Sequence, residues 1–122
     1  MPKLLVVDDD PSILDSMEIA LSLQGYDVET TTKGEETFSR IESFHPDLIF
    51  MDVYLSGMDG LEITKQIKEN EATKNIPVII FSANKSMKDV FHESGADDFI
   101  RKPFNMDELY AKVKGQTSHI LY

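Results

Sequence analysis

The sequence predicts a doubly wound α/β domain, in which one mostly parallel sheet is covered by helices on both faces. Three observations carry that expectation. The apolar blocks Leu4-Leu5-Val6-Val7, Leu48-Ile49-Phe50-Met51 and Ile76-Pro77-Val78-Ile79-Ile80-Phe81 read as strands buried on both sides. Between them lie segments whose apolar residues recur every three or four positions, the pattern of amphipathic helices. The two kinds of segment alternate five times, and parallel strands joined this way need right-handed helical crossovers.

Leu4 to Val7 is the first expected strand. Asp10-Pro11 then places an N-cap before a proline at the first helical position. Ile13, Leu14, Met17, Ala20, Leu21 and Leu23 form the stripe of the first helix, which Gly25 can end. Tyr26 to Thr30 alternates apolar and polar residues, as a half-exposed edge strand does. Thr32 with Glu35 is a capping-box pattern, and Phe38, Ile41 and Phe44 give the second helix an apolar face before Pro46 closes it. The central strand, Asp47 to Asp52, is four apolar residues running into a carboxylate.

Asp59 with Glu62 marks the start of the third helix, which carries Leu61, Thr64 and Ile67 toward the core, and Glu69 to Asn75 is a polar connection. Ile76 to Phe81 is the fourth strand, with its proline near the start, where a missing donor does least harm, and Ser82 at its end. A short helix from about Ser86 to Ser94 bears Met87, Val90 and Phe91 and stops at Gly95-Ala96. Phe99-Ile100 is a brief last strand and Lys102-Pro103 a turn. Asn105 with Glu108 caps a final helix with Met106, Leu109, Tyr110 and Val113.

At 122 residues the chain fits one domain over 1–122, large enough to bury roughly two thirds of its unfolded surface. Repeats, low-complexity segments and interdomain linkers are not visible, and no output domain is expected. With no cysteine, disulfides and thiolate metal sites are excluded and a reducing compartment is the natural home. Leu4 to Val7 is too short for a signal-peptide core or a membrane span, so a cytoplasmic protein with no membrane contact is expected. A net charge of −10 argues against direct binding of nucleic acid.

The functional signal is positional. Asp8 and Asp9, Asp52, Ser82 and Lys102 directly follow the first, third, fourth and fifth expected strands. In a parallel sheet all of them reach one edge, near the switch point where doubly wound folds bind ligands. Alone, an aspartate after a strand is a turn residue or cap, which is the reading for Asp10 and Asp59. Ser82 alone would be a strand terminator, Lys102 a solvated charge and Phe99 plain core. Three carboxylates converging on one rim are different, because like charges need neutralising. Oxygen-only ligands suit Mg²⁺. Lys102 and Ser82 suit phosphoryl oxygens, and Asp52 would be the nucleophile that becomes an aspartyl phosphate. His45, His92 and His119 share no metal-like spacing.

These residues sit in motifs that resemble the receiver domain of two-component response regulators, the family of the chemotaxis protein CheY. The motifs are Leu5-Val6-Val7-Asp8-Asp9-Asp10, Asp52 with Gly57-Met58-Asp59-Gly60, Phe81-Ser82-Ala83, and the run from Gly95 to Phe104. The resemblance spans essentially the whole chain. It implies a flavodoxin-like fold with strand order 2-1-3-4-5 and five helices. By the resemblance Asp52 is the phosphoacceptor. Asp9, Asp52 and the backbone carbonyl of Tyr54 bind Mg²⁺ directly, and Asp8 binds it through water. Ser82 matches the family's switch hydroxyl, Phe99 its switch aromatic and Lys102 its lysine, followed by a cis bond to Pro103. The family commonly has proline where this chain has Ser56, which implies a looser loop. Tyr54 and Asn84, two residues past Asp52 and Ser82, stand at positions that resemble those tuning hydrolysis of the phosphoryl group in the family, where a bulky Tyr54 would screen attacking water.

The implied function is a switch, not a turnover enzyme, one that catalyses only its own phosphoryl transfer and slow autodephosphorylation. The donor is a histidine kinase or a histidine phosphotransfer protein. Ser82 moves toward the phosphoryl group, Phe99 turns inward, and the surface of the fourth helix, last strand and last helix changes for an output partner or a phosphorylation-dependent dimer. That surface would carry Lys85, Lys88, Phe91, Arg101, Tyr110 and Lys114. The alternative is a pseudo-receiver adaptor that binds partners without phosphorylation, and a third reading is a phosphatase acting through Asp8. An EF-hand starting at Asp52 fails at Tyr54 and Ile63, and no Gly-x-x-x-x-Gly-Lys loop exists for nucleotide hydrolysis.

Overall fold

In the structure, a computed structural model that describes residues 1–118, the five expected strands form one parallel sheet. They are β1 (Lys3–Val7), β2 (Asp27–Thr31), β3 (Leu48–Asp52), β4 (Val78–Ser82) and β5 (Asp98–Arg101), in the order β2-β1-β3-β4-β5. That is the flavodoxin-like order 2-1-3-4-5. The register pairs Val7 with Met51, Asp52 with Phe81 and Ser82 with Arg101, so the carboxyl ends of four strands finish nearly level. His119 lies outside the described residues.

Five helices cover the sheet: α1 (Pro11–Leu23), α2 (Thr37–Phe44), α3 (Gly60–Glu69), α4 (Met87–Val90) and α5 (Met106–Thr117). Because side chains alternate along a strand, β1 sends Leu4 and Val6 to one core layer and Leu5 and Val7 to the other. The first layer adds Leu14, Met17 and Leu21 of α1 with Leu109 and Val113 of α5. The second adds Ile41 of α2 with Ile63 and Ile67 of α3. Each such apolar side chain stabilises the fold by about 1.5–3 kcal/mol relative to leaving it in water.

Several local details differ from the sequence reading. Leu23, expected on the buried stripe of α1, is 80% exposed, because the helix turns it past the end of the sheet-facing set Leu14, Met17, Ala20 and Leu21. Ile63 is buried and does the packing that Leu61, only half-buried, was expected to share. The Thr32 and Glu35 capping box does not form. Thr31 replaces it, its hydroxyl donating to Glu36 Oε1 at 2.8 Å and accepting from the Lys33 backbone N–H at 3.1 Å. A 3₁₀ turn over Gly34–Glu36 follows, and α2 begins only at Thr37. Gly34, the first residue of that turn, has no room for a side chain, because a Cβ there would crowd Ile63, Leu55 and Met58.

The caps expected at Asp10, Asp59 and Asn105 are present. Their side chains accept from the backbone N–H of Ser12, Leu61 and Glu108 at 2.9, 2.8 and 2.7 Å. The fourth helix is split into α4 and a 3₁₀ turn over Phe91–Ser94 that ends at Gly95, φ 89°. After β3 the chain makes two short antiparallel arms, Tyr54–Leu55 and Met58–Asp59, around Gly57 at φ 75°.

Candidate functional site

At the carboxyl edge of the sheet the structure brings together every side chain expected there. Asp8 follows β1, is fully buried and is held twice: Oδ1 accepts from the Asp10 N–H at 2.8 Å and Oδ2 meets Lys102 Nζ at 2.8 Å. Asp52 ends β3, is 5% exposed and lies 3.3 Å from the same ammonium. Lys102 leaves β5 with its backbone N–H on the Ser82 carbonyl at 2.9 Å, and its Nζ sits 4.6 Å above the Phe81 ring. The Lys102-Pro103 peptide is cis. Asp9 is exposed and accepts from the Ser56 hydroxyl at 3.3 Å.

One carboxylate oxygen from each of Asp8, Asp9 and Asp52 lies within 4.8 Å of the other two. Burial pushes the Asp52 carboxyl up to about 6, and the charge of Asp8 pushes the same way. Lys102 opposes the rise without cancelling it, and Asp9 adds to it. One ammonium therefore serves two of the three carboxylates, Asp8 and Asp52, and Asp9 has no cation beside it among the described residues. The remaining negative charge, with hard oxygen donors and neither histidine nor thiolate among them, fits a divalent cation such as Mg²⁺.

An open cleft of about 510 Å³ gives access to these groups, lined also by Tyr54, Ser82 and Asn84. Ser82 is 1% exposed, and its hydroxyl oxygen accepts from the Asn84 N–H at 3.1 Å, which leaves its own proton to donate. The Asn84 amide donates to the Tyr54 hydroxyl at 2.9 Å across the mouth of the cleft. Gly60, seen in the sequence only as part of a motif, turns out to be a positional necessity. A Cβ there would collide with the Asp52 carbonyl oxygen, and its N–H caps the Val53 carbonyl at 2.8 Å. No signal short of the fold itself reveals that approach.

Phe99 on β5 is 8% exposed and stacks on Phe91, with centroids 5.7 Å apart and planes at 24°. It also lines a hollow of about 410 Å³ ringed by Lys85, Lys88, Arg101 and Lys112 with Glu108 among them. Tyr110, expected on this same surface, is elsewhere. Its ring packs with the core layer of α1 and its hydroxyl reaches the Ala20 carbonyl at 3.4 Å, because its place on α5 faces α1.

A family profile described as the response regulator receiver domain matches residues 4–114. The alkaline phosphatase synthesis transcriptional regulatory protein PhoP of Bacillus subtilis is 40% identical over 114 residues, which cover 92% of this chain and 47% of that protein. The DNA-binding dual master transcriptional regulator RpaA of Synechocystis sp. is 36% identical over 116 residues, 93% of this chain and 48% of that protein. The chain thus spans about half the length of these relatives. Among solved structures, the signal receiver domain of a signal transduction histidine kinase from Syntrophus aciditrophicus superposes with a TM-score of 0.89 at 32% identity, covering 98% of this chain and 92% of that one. No helix among the described residues is long and apolar enough to cross a membrane.

Proposed function

The chain belongs to the response regulator receiver domain family, and from that premise we propose that it is a switch set by phosphorylation of Asp52. One observation carries the proposal: the buried Asp52 carboxylate has an oxygen within 4.8 Å of one from each of Asp8 and Asp9 and lies 3.3 Å from the Lys102 ammonium, which also holds Asp8 at 2.8 Å. Residues 1–122 act as one receiver unit. The phosphoryl donor is a phosphohistidine on a kinase or phosphotransfer protein, and the setting is the cytoplasm.

Asp8, Asp9, Asp52 and the backbone carbonyl of Tyr54 would hold Mg²⁺, which when bound supplies charge neutralisation for the approaching phosphoryl group. Asp52 attacks phosphorus through a carboxylate oxygen as the bond from phosphorus to the donor nitrogen breaks, and the imidazole leaves with that electron pair. Lys102 moves from Asp52 onto a phosphoryl oxygen. Ser82 donates its free hydroxyl proton to another. The Tyr54 and Asn84 pair walls off one side of the cleft and slows attack by water. The chain turns over no external substrate.

Ser82, drawn toward the phosphoryl group, vacates space that Phe99 takes by leaving its stack on Phe91. That shift remodels the face made by α4, β5 and α5, where an output partner docks or a phosphorylation-dependent dimer forms. Lys85, Lys88 and Arg101 make no ion pair among the described residues, so this face offers positive charge in a chain of net charge −10. Lys114 is also exposed. The net charge speaks against direct contact of this domain with nucleic acid.

Incubation with Mg²⁺ and acetyl phosphate, followed by intact mass, tests the proposal. A single phosphate adduct is expected, absent from Asp52→Asn and from samples with excess chelator. A chain that never gains the adduct yet binds partners would instead be a pseudo-receiver adaptor.

A further inference from the structure

The turn after the phosphoacceptor strand carries a hydroxyl that its backbone geometry does not call for. Tyr54 pairs with Asp59 and Leu55 with Met58, leaving Ser56 and Gly57 as the two central residues. Gly57 has φ +75°, whereas Ser56 is not among the residues of positive φ. Negative φ followed by positive φ is the pattern of a turn that favours proline at its first central position, because the pyrrolidine ring presets that angle. Serine there gives up this stiffening. What it provides instead is a donor, and the donor reaches Asp9 Oδ2 at 3.3 Å.

The three clustered carboxylates differ in how they are held. Asp8 has the Asp10 N–H and Lys102, and Asp52 has Lys102. Asp9 is the exposed member, and among the described residues the Ser56 hydroxyl is the one hydrogen-bond donor to its carboxylate. Left alone, an exposed aspartate samples several rotamers and must be ordered when a ligand binds. The bond to Ser56 occupies one oxygen and restricts the other, and it ties Asp9 to the loop that carries the Tyr54 carbonyl.

We infer that Ser56 is a positioning residue that sets the Asp9 carboxylate for the divalent cation. This rests on the reading that Asp8, Asp9 and Asp52 bind Mg²⁺. Partners that orient metal ligands typically contribute 10- to 100-fold in affinity. Because this bond is long and exposed, about 3- to 10-fold is expected here.

The test is calorimetric titration of MgCl₂ into the wild type, Ser56→Ala, Ser56→Pro and Ser56→Thr, with thermal unfolding of each in chelator. Ser56→Ala should weaken binding by that factor, and Ser56→Thr, which keeps the hydroxyl, should bind like the wild type. Ser56→Pro separates the two roles of the position. It should unfold at the wild-type temperature or above, yet bind Mg²⁺ as weakly as Ser56→Ala. Wild-type affinity in Ser56→Ala or Ser56→Pro would overturn the inference while leaving the metal site standing. A wild type that binds no Mg²⁺ would overturn both.

Discussion

A carboxylate 5% exposed, beside a second buried carboxylate and 3.3 Å from one shared ammonium, is held at a cost to the fold. The Asp52 carboxyl stands at about 6 when folded, against its ordinary 3.8. The folded chain therefore binds this proton more tightly than the unfolded one. The stability so contributed is complete below the ordinary value and is lost as pH rises through about 6. Asp52→Asn removes the charge and keeps the shape, so in chelator at pH 7.5 it should be more stable than the wild type, by about 1–3 kcal/mol. The gain should fade as pH approaches 4, which thermal unfolding across that range would show; a gain that does not change with pH would remove the raised carboxyl as its cause. Lys102→Met acts the other way, stripping the counter-charge from Asp8 and Asp52. A loss of about 3–5 kcal/mol is expected above pH 7, with a smaller loss near pH 5, where Asp52 takes up a proton. Equal losses at both values in urea titrations would show that Lys102 matters through packing on Phe81 rather than through charge.

Gly60 shows how an element edge can matter more than the element. It is the first residue of α3, and its missing side chain lets the helix start directly against the Asp52 carbonyl. Gly60→Ala should cost about 1–3 kcal/mol through forced displacement. It should also lower acetyl phosphate labelling of Asp52, because whatever gives way includes the strand end that carries it. Full labelling in a destabilised variant would show that the helix yields and β3 does not. The strands were legible in the sequence because a strand buried on both faces leaves an unbroken apolar run. The caps at Asp10, Asp59 and Asn105 were legible because a side chain that binds its own helix leaves a local pattern. Thr31 and Glu36 were missed for the opposite reason. Their bond spans a strand end and a 3₁₀ turn, and the motif nested inside it, Thr32 with Glu35, looks better on paper. Leu23 was misplaced because periodicity alone does not tell where along a helix the core ends.

Over the whole molecule, Asp8, Asp52, Ser82 and Lys102 are separated by up to 94 residues and still meet. That meeting was legible because parallel strands present the same end to the same edge, so the residue after each strand is located once the topology is. What hung on facing was not legible: Tyr110 turns toward α1, and only the packing of α5 decides that. The same edge sets the last expectation. A chain of net charge −10 repels itself, so any added salt should stabilise it by screening. A cation bound at the three aspartates adds a specific term, about 2.7 kcal/mol when Mg²⁺ stands at 100 times its dissociation constant. The two separate when melting temperatures are compared in MgCl₂ and in NaCl of equal ionic strength. The wild type should melt higher in MgCl₂, whereas Asp9→Asn and Asp52→Asn should lose most of that difference and keep the gain common to both salts. If the wild type gains equally in the two salts, or Asp9→Asn retains the full difference, the acidic cluster is screened rather than filled. The aspartyl phosphate proposed at Asp52 would then need another source of positive charge than Lys102, which Asp8 and Asp52 already share.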